Sequence, residues 1–236
     1  MGSQVKNALV TGANRGLGLE FVRQLATQGW RVFACCRNSQ NAEALNALML
    51  TSQGKISVHA LSVEDGVQIR ALAQHLDGQP IDLLINNAGR YSGRDLGIFG
   101  QTDTAEWIKS FEVNSIAPMK MAEAFVEHVS KSQMKTIVII TSKMGSVDDN
   151  TSGGSYLYRS SKAALNIVAK SLSIDLRPRG IKVALLHPGW VKTDMGGPNA
   201  LLTVEESVSS MLSLISRLDW QDSGKFLAYD GAEIPW

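Results

Sequence analysis

The chain has 236 residues, of which 44% are hydrophobic and 19% are charged, and its formal net charge is +1. This composition supports one sizeable core, and the absence of a basic block argues against nucleic-acid binding. The longest purely apolar runs, such as IVII at 137–140, are too short to cross a bilayer, and we find no secretory signal, so we expect a cytoplasmic protein without a membrane partner.

Short apolar runs alternate with longer helical patterns along the chain. Strands are predicted at 7–12, 31–36, 56–61, 81–86, 135–142, 181–189 and 224–229. Helices are predicted at 17–28, 41–50, 64–77, 103–131, 157–177 and 203–218, with the fourth dividing near Pro118. Near-continuous apolar strands are typical of a parallel sheet covered on both faces. The alternation predicts an α/β, doubly wound Rossmann fold that forms a single domain over residues 1–236.

The turn after the first strand reads TGANRGLG at 11–18 and opens the first helix. Gly12 allows a tight turn, Gly16 removes a side chain where a pyrophosphate would approach, and Gly18 permits close packing of helix and sheet. The N-terminus of the helix then offers free N–H groups to phosphates. A plain tight turn is the alternative, because the spacing GxxxGxG differs from the GxGxxG fingerprint.

The end of the second strand bears on the choice of cofactor. An NAD-binding unit usually carries an acidic residue there, but here CCRNSQNA follows and Glu43 is the first acid. Arg37 after the strand and Arg15 in the glycine turn suit a 2′-phosphate, with no competing carboxylate nearby in the sequence. Each arginine alone is more typical of a solvated surface than of a cofactor site, but together they favour NADP(H) over NAD.

The stretch YLYRSSKAALN at 156–166 contains two tyrosines and one lysine. Tyr158 and Lys162 are four residues apart and share a helix face, whereas the residue four positions after Tyr156 is Ser160. When the pair is considered alone, a surface lysine on an amphipathic helix is the better explanation. The chemical interpretation, with Tyr158 as a proton donor tuned by Lys162, therefore depends on the rest of the chain.

Several motifs then occur in order: TGANRGLG, NNAG at 86–89, Asn114 in VNSIAP, Ser142 in IITS, YRSSK at 158–162 and HPGWVKTDM at 187–195. Over essentially the whole chain this set resembles the short-chain dehydrogenase/reductase superfamily. The segments GGSYLYRSSKAALN and GKFLAYDGAEIPW are similar to the C-factor and sniffer-like carbonyl reductases within it. The resemblance implies a seven-stranded parallel sheet, NADP(H) as cofactor and a substrate-loop segment at about 188–205.

The resemblance also implies site residues. The implied catalytic residues are Asn114, Ser142, Tyr158 and Lys162. The implied cofactor-binding residues are Gly12, Asn14, Arg15, Gly16, Leu17, Gly18, Arg37, Asn38, Ser62, Val63, Asn87, Ala88, Gly89, Tyr158, Lys162, Pro188, Gly189, Val191 and Thr193. The family commonly has Asp where this chain has Ser62, which leaves the adenine contact open. No metal site is expected.

Carbonyl reduction needs a hydride on carbon, which a nicotinamide supplies, and a proton on oxygen. Tyr158 would donate the proton, with its pKa lowered by the Lys162 ammonium, and Ser142 would hold the carbonyl oxygen. Asn114 would hold a water that returns the proton through Lys162, or would simply bend its helix. Residues in the loops beyond the strands are candidates for the substrate pocket: Tyr91, Met144, Tyr156, Trp190 and Met195.

The resulting hypothesis is an NADPH-dependent oxidoreductase that reduces a small aldehyde, ketone or quinone. A non-enzymatic NADP-binding sensor and an NAD-dependent alcohol dehydrogenase are the alternatives. The resemblance implies a homodimer or homotetramer through the helices at 103–131 and 157–177, or a monomer, as in some carbonyl reductases. None of the four histidines is expected to be catalytic, and His128 is expected to face solvent.

Overall fold

The computed structural model describes residues 5–92 and 97–236, and within them seven strands alternate with seven α-helices. The strands are β1 Asn7–Thr11, β2 Arg31–Cys36, β3 Ile56–Ala60, β4 Leu83–Asn86, β5 Thr136–Ile140, β6 Lys182–His187 and β7 Phe226–Ala228. The helices are α1 Gly16–Thr27, α2 Glu43–Thr51, α3 Gly66–His75, α4 Thr104–Phe111, α5 Ala117–Ser130, α6 Tyr156–Asp175 and α7 Val204–Arg217.

The strands form one parallel sheet in the order β3-β2-β1-β4-β5-β6-β7. Val10 of β1 pairs with Ala34 of β2 on one side and with Ile85 of β4 on the other. The chain therefore crosses from β3 back to β4, and the strand order reverses between β1 and β4, where an open α/β sheet binds its ligand. The predicted seven-stranded, doubly wound Rossmann fold is confirmed.

Alternate residues of the strands enter two cores on opposite faces of the sheet. Ala8 and Val10 pack on one face with α1, α2 and α7, whereas Leu9 packs on the other with α3, α5 and α6. Because both faces are covered, the central strands are apolar at almost every position. None of the helices in the described ranges is both long and apolar enough to cross a membrane.

The long helical pattern at 103–131 divides as expected. A π-helical turn, Glu112–Ile116, joins α4 to α5, and Pro118 stands in the first turn of α5, where a missing N–H costs little. A π-helical turn carries an extra residue and is frequent at functional sites. Asn114 lies in the middle of this turn, so the local irregularity directs its side chain into the protein interior, where it is fully buried.

Candidate active site

The predicted catalytic residues converge at the carboxyl edge of the sheet. Ser142 follows the end of β5 by two residues, and its hydroxyl accepts a hydrogen bond from the Met144 N–H. Tyr158 and Lys162 lie in the first two turns of α6, and α6 starts after three consecutive residues in the left-handed region, 153–155. Glycine adopts that conformation readily at the first two of these positions, so the backbone can turn sharply into the helix.

Lys162 is buried between the helix and the end of β5. The residue is 4% exposed, and Nζ donates a 3.0 Å hydrogen bond to the carbonyl oxygen of Ile140. The same Nζ lies 5.8 Å from the ring centroid of Tyr158, so the two side chains share a helix face as the spacing predicts. Burial penalises the ammonium and lowers the pKa of Lys162 to about 8.

Tyr158 is half-buried, with its ring 5.1 Å from the ring of Tyr91 at an interplanar angle of 80°. Burial raises the pKa of Tyr158 to about 12, a hydrogen bond with the Ser142 hydroxyl lowers it, and the nearby Tyr91 raises it. From the sequence we expect a pKa lowered by Lys162, and this differs from the structure. The physical reason is that burial has the largest effect here, while the ammonium is directed to the Ile140 carbonyl.

Asn114 joins the loop after β4 to helix α6. Its Oδ1 accepts a 2.7 Å hydrogen bond from the Arg90 N–H, and its Nδ2 donates to the Arg90 carbonyl and to the Ser161 hydroxyl, each at 2.9 Å. A Cβ atom added to Gly89 would lie 3.6 Å from Asn114 Oδ1 and 3.8 Å from Lys162 Nζ. The amide therefore organises backbone next to Lys162, and its role in proton return stays a prediction.

Two interactions in this arrangement are not predicted from the sequence. Ser161 is fully buried, and its hydroxyl donates to the Tyr158 carbonyl at 2.8 Å while accepting from Asn114. Arg90 forms an ion pair with Glu106 of α4, which ties the loop after β4 to that helix. A serine three residues after Tyr158 is a recognisable signal for a backbone hydrogen bond, but nothing local connects Arg90 with Glu106.

The glycine turn has the close contacts that a dinucleotide site requires. Gly12 has φ +66°, and a Cβ atom there would lie 2.9 Å from the Ala88 Cα. A Cβ atom on Gly18 would lie 2.1 Å from the Gly12 carbonyl oxygen. Only glycine fits at these two positions, which leaves the N-terminus of α1 open to a phosphate group. The turn therefore fits a dinucleotide cofactor.

The NNAG segment packs against the same turn. The hydroxyl of Thr11 accepts hydrogen bonds from the N–H groups of Asn87 and Ala88, each at 3.0 Å, and Asn87 Nδ2 donates to the Thr11 carbonyl at 2.9 Å. These bonds hold the carboxyl ends of β1 and β4 together, as expected. The Nδ2 of Asn86 is a buried donor that has no partner among the described residues.

The surroundings of Arg15 differ from the prediction that no carboxylate competes for the two arginines. Its guanidinium forms an ion pair with Asp194, which lies in the loop after β6 and is brought to the glycine turn by the fold. Arg37 and Asn38 are exposed at the end of β2, where they are accessible to a ligand. Both partners of the Arg15–Asp194 pair are mainly exposed, so solvent weakens their attraction.

The predicted nicotinamide-end residues lie in the segment between β6 and α7. The Pro188 carbonyl accepts a 2.6 Å hydrogen bond from Ser207, and Val191 forms an isolated parallel bridge with Leu202. Gly189 has φ +83°, and a Cβ atom there would lie 2.5 Å from Leu202 Cδ1. The Cγ2 atom of Thr193 lies 3.5 Å from the position that a Cβ on Gly16 would occupy. This segment therefore reaches the glycine turn.

The other predicted cofactor-binding residues lie along the same edge. Asn14 is exposed in the glycine turn, Leu17 is half-buried on α1, and Val63 is buried after β3. The N–H of Ser62 donates a 2.9 Å hydrogen bond to Gln68 Oε1, while its hydroxyl has no partner within residues 5–92 and 97–236. The adenine contact of Ser62 stays a prediction.

The five candidate pocket residues lie in different places in the structure. Tyr91 contacts Tyr158, and its hydroxyl lies 3.5 Å from that of Ser155. Trp190 and Met195 are about half exposed, at 49% and 47%, in the loop after β6. Met144 and Tyr156 instead line a cavity beside Trp107, on another face of α6. The structure therefore brings Tyr91, rather than Tyr156, to the Tyr158 ring.

Comparisons with known proteins give a matching family model and similar sequences and structures. A family model described as short chain dehydrogenase matches residues 6–200. The C-signal protein of Myxococcus xanthus is 44% identical over 168 residues, covering 71% of this chain and 100% of that protein. The Sniffer carbonyl reductase of D. melanogaster is similar in structure, with a TM-score of 0.92, 33% identity, and coverage of 99% of this chain and 100% of that one. An NADPH-bound carbonyl reductase from chicken fatty liver has a TM-score of 0.89 and 36% identity, with the same coverage.

Proposed function

The chain belongs to the short chain dehydrogenase family, and on that premise we propose that it is an NADPH-dependent oxidoreductase that reduces the carbonyl group of a small aldehyde, ketone or quinone. The observation that carries the proposal is the convergence of Ser142, Tyr158 and Lys162 beyond β5, next to a glycine turn that fits a dinucleotide. The similarity to carbonyl reductases, one of them bound to NADPH, supports it.

In this proposal the bound nicotinamide supplies the hydride, and the chain supplies the proton. Tyr158, with a pKa raised by burial to about 12, is protonated at neutral pH and can donate to the carbonyl oxygen. The transfer is downhill once the oxygen develops alkoxide character, because an alkoxide is far more basic than a phenolate. Ser142, whose hydroxyl lowers the pKa of Tyr158, would orient the substrate oxygen towards the Tyr158 hydroxyl.

Lys162 would act on Tyr158 rather than on the substrate. Burial lowers its pKa to about 8, so its ammonium exchanges a proton within the neutral range. The ammonium lies near the phenol ring and stabilises a developing phenolate electrostatically. We assign the return of the proton to this residue, with Asn114 and the Arg90 backbone shaping the space beside it.

The preference for NADPH is assigned to Arg37 and Arg15 beside the glycine turn. An exposed guanidinium at the end of β2 can pair with a 2′-phosphate, which NAD lacks. Residues 1–236 would then be one NADP-binding domain whose segment at about 188–205 covers the substrate. Arg37→Asp should weaken NADP binding strongly and NAD binding little, and unchanged NADP affinity would refute the assignment.

The function is tested by measuring NADPH oxidation with the purified full chain over a diverse panel of aldehydes, ketones and quinones. Tyr158→Phe should abolish turnover, whereas Tyr156→Phe, a matched control two residues earlier, should retain it. Absence of NADPH oxidation with every carbonyl would refute the proposal. Saturable NADPH binding without turnover would favour the sensor, and tighter binding of NAD than of NADP would favour an alcohol dehydrogenase.

Self-association is proposed on separate grounds. Four isoleucines on α4, α6 and the turn between α4 and α5 are more than half exposed: Ile108, Ile116, Ile167 and Ile174. Apolar side chains repeated on neighbouring helices favour a homodimer along these elements. Light scattering of the purified chain should give the mass of a dimer or tetramer, and Ile167→Glu should shift it to that of a monomer; a monomeric parent chain would contradict this.

A further inference from the structure

The loop after β4 contacts two different helices through three consecutive side chains. Those of Arg90 and Ser92 contact α4. That of Tyr91, which lies between them, contacts Tyr158 of α6. We propose that Glu106 of α4 is a positioning residue that holds the Tyr91 ring against the proposed proton donor, Tyr158. The effect on catalysis rests on the proposed carbonyl reduction, whereas the contact between the rings can be measured without a substrate.

The ion pair between Arg90 and Glu106 is the first link between this loop and α4. The Arg90 side chain is 34% exposed and the Glu106 side chain 22%, so solvent screens their attraction less than it screens a pair on an open surface. The same carboxylate accepts a 3.1 Å hydrogen bond from Lys109, whose side chain is 52% exposed. Glu106 therefore binds one cation in the protein and another at its surface.

A chain of hydroxyl groups forms a second link beside the ion pair. The Ser110 hydroxyl donates a 2.9 Å hydrogen bond to the Glu106 carbonyl, one turn earlier on α4. Because its only proton is used there, Ser110 accepts from the Ser92 hydroxyl, which lies 3.0 Å away. Ser92 in turn accepts from Arg90 Nε at 3.4 Å. Ser110 is 1% exposed, so water does not compete for this link.

Helix α4 is itself fixed to the helix that carries Tyr158. The indole N–H of Trp107 donates a 2.7 Å hydrogen bond to the Ser160 hydroxyl of α6. The contacts therefore form a closed circuit, from α6 to α4, from α4 to the loop after β4, and from that loop back to Tyr158. Because α4 is held against α6, Glu106 can fix the loop relative to the proton donor.

The Tyr91 ring forms one wall around Tyr158. The two ring centroids are 5.1 Å apart at an interplanar angle of 80°, the edge-to-face arrangement that aromatic pairs prefer. The Tyr91 hydroxyl lies 3.5 Å from that of Ser155, the N-cap residue of α6. The ring thus extends along the start of the helix. A phenol with a wall on this side has fewer orientations, so its hydroxyl is directed to the substrate oxygen more of the time.

The contact between the rings is tested by NMR of the full chain without cofactor or substrate. In a sample deuterated except for its four tyrosines, Tyr91 and Tyr158 should show a ring-to-ring nuclear Overhauser effect, assigned by its loss in Tyr91→Phe. The effect should be lost in Glu106→Gln and in Arg90→Gln. It should persist in Lys109→Gln, which removes the other cation that contacts the same carboxylate.

The effect on catalysis is tested with NADPH and a carbonyl substrate of the parent chain. Glu106→Gln should lower kcat about tenfold, because the proton donor is less well oriented. The KM for NADPH should change little, since the NNAG segment keeps its hydrogen bonds to Thr11. Arg90→Gln should lower kcat by the same factor, and the double variant should be no worse than either single one, because both changes remove one interaction.

Glu123→Gln is the control for loss of an acidic side chain, because it breaks only an exposed pair with Lys120 on α5. The proposal is overturned if the parent chain shows no ring-to-ring effect, if that effect survives Glu106→Gln, or if the two single losses of kcat multiply in the double variant. If the parent chain reduces no carbonyl, the proposed function fails, and the NMR result alone decides whether Glu106 holds Tyr91.

Discussion

Gly145 packs so closely on Lys162 that a Cβ atom built on the glycine would lie 2.9 Å from the lysine Cβ and 2.8 Å from the lysine carbonyl carbon. The glycine belongs to the short turn after Ser142, so the contact joins the turn that carries Ser142 to the helix that carries Tyr158. The relative position of the proposed catalytic side chains thus depends on the absence of a side chain at residue 145.

We therefore predict that Gly145→Ala lowers both stability and activity. Either the turn or α6 must move to accommodate the methyl group, and overpacking of this kind costs about 1–3 kcal/mol of the free energy of unfolding. Urea denaturation measures the first effect, and kcat for NADPH oxidation measures the second. Gly66→Ala is the matched control, because the nearest atom to its added Cβ is the end of a flexible arginine, at 3.3 Å; an equal loss in both variants would contradict the prediction.

The buried ammonium of Lys162 predicts a pH-dependent stability. Burial lowers its pKa from 10.5 to about 8, so the folded state disfavours the ammonium that the unfolded chain carries. Below pH 8 both states are protonated, and the full cost of about 3 kcal/mol opposes folding. Between pH 8 and 10.5 only the unfolded state is protonated, so this contribution to stability improves as the pH rises.

Lys162→Met removes this cost together with the proposed catalytic group. The variant also loses the hydrogen bond to the Ile140 carbonyl, which offsets part of this gain. We therefore expect it to be about 1–2 kcal/mol more stable than the parent chain at pH 7. That advantage should shrink between pH 8 and 10. Urea unfolding at several pH values measures it, with Lys131→Met, at an exposed position, as the control. An advantage that does not change with pH would contradict the assigned pKa.

Features that depend on local spacing can be predicted from the sequence. The three glycines of the first turn and the pair Tyr158 and Lys162 lie within single short segments, where strand, turn and helix periodicity determine which side chains approach each other. The predicted strand and helix segments agree with the structure for the same reason, since apolar runs and their spacing report directly on burial.

Features that depend on long-range packing cannot be predicted from the sequence. Asp194 contacts Arg15 although the two residues are 179 positions apart in the sequence, and no local pattern predicts that contact. The sequence predicts that His128 faces solvent, but the residue is buried, with Nε2 3.1 Å from the Ala73 carbonyl oxygen, because α5 packs on α3. The cavity beside Tyr156 likewise forms only when α4 and the loop before α6 meet.

The ion pair between Arg15 and Asp194 predicts a gain of cofactor affinity. A carboxylate beside Arg15 competes with a 2′-phosphate for the same guanidinium. Asp194→Asn should therefore tighten NADPH binding by roughly two- to fivefold and leave NADH binding almost unchanged. Fluorescence titration of both cofactors measures the two affinities, with Asp175→Asn, at an exposed position on α6, as the control. An equal gain for NADH would mean that the carboxylate repels dinucleotides generally.

Substitution of Asn114 tests whether its buried amide has a structural or a chemical function. Asn114→Ala leaves the Arg90 N–H, the Arg90 carbonyl and the Ser161 hydroxyl without their partner in a fully buried position. We expect a loss of about 2–4 kcal/mol in the free energy of unfolding, measured by urea denaturation. Asn46→Ala removes an amide that donates to the Ser39 carbonyl at 2.9 Å and to the Gln40 carbonyl at 3.5 Å, at a partly exposed position where water can replace it, and should cost less than about 1 kcal/mol.

Activity separates the two roles of Asn114 further. If the amide only holds the Arg90 backbone, kcat at a temperature where the variant is fully folded should fall modestly, because the loop that presents Tyr91 to Tyr158 is displaced. If it also holds a water that returns the proton, kcat should fall much further, and a small external amine should restore part of it by accepting and donating that proton. Because Asn114 Oδ1 and Lys162 Nζ both lie within 4 Å of the same point at Gly89, we expect the larger loss with partial rescue.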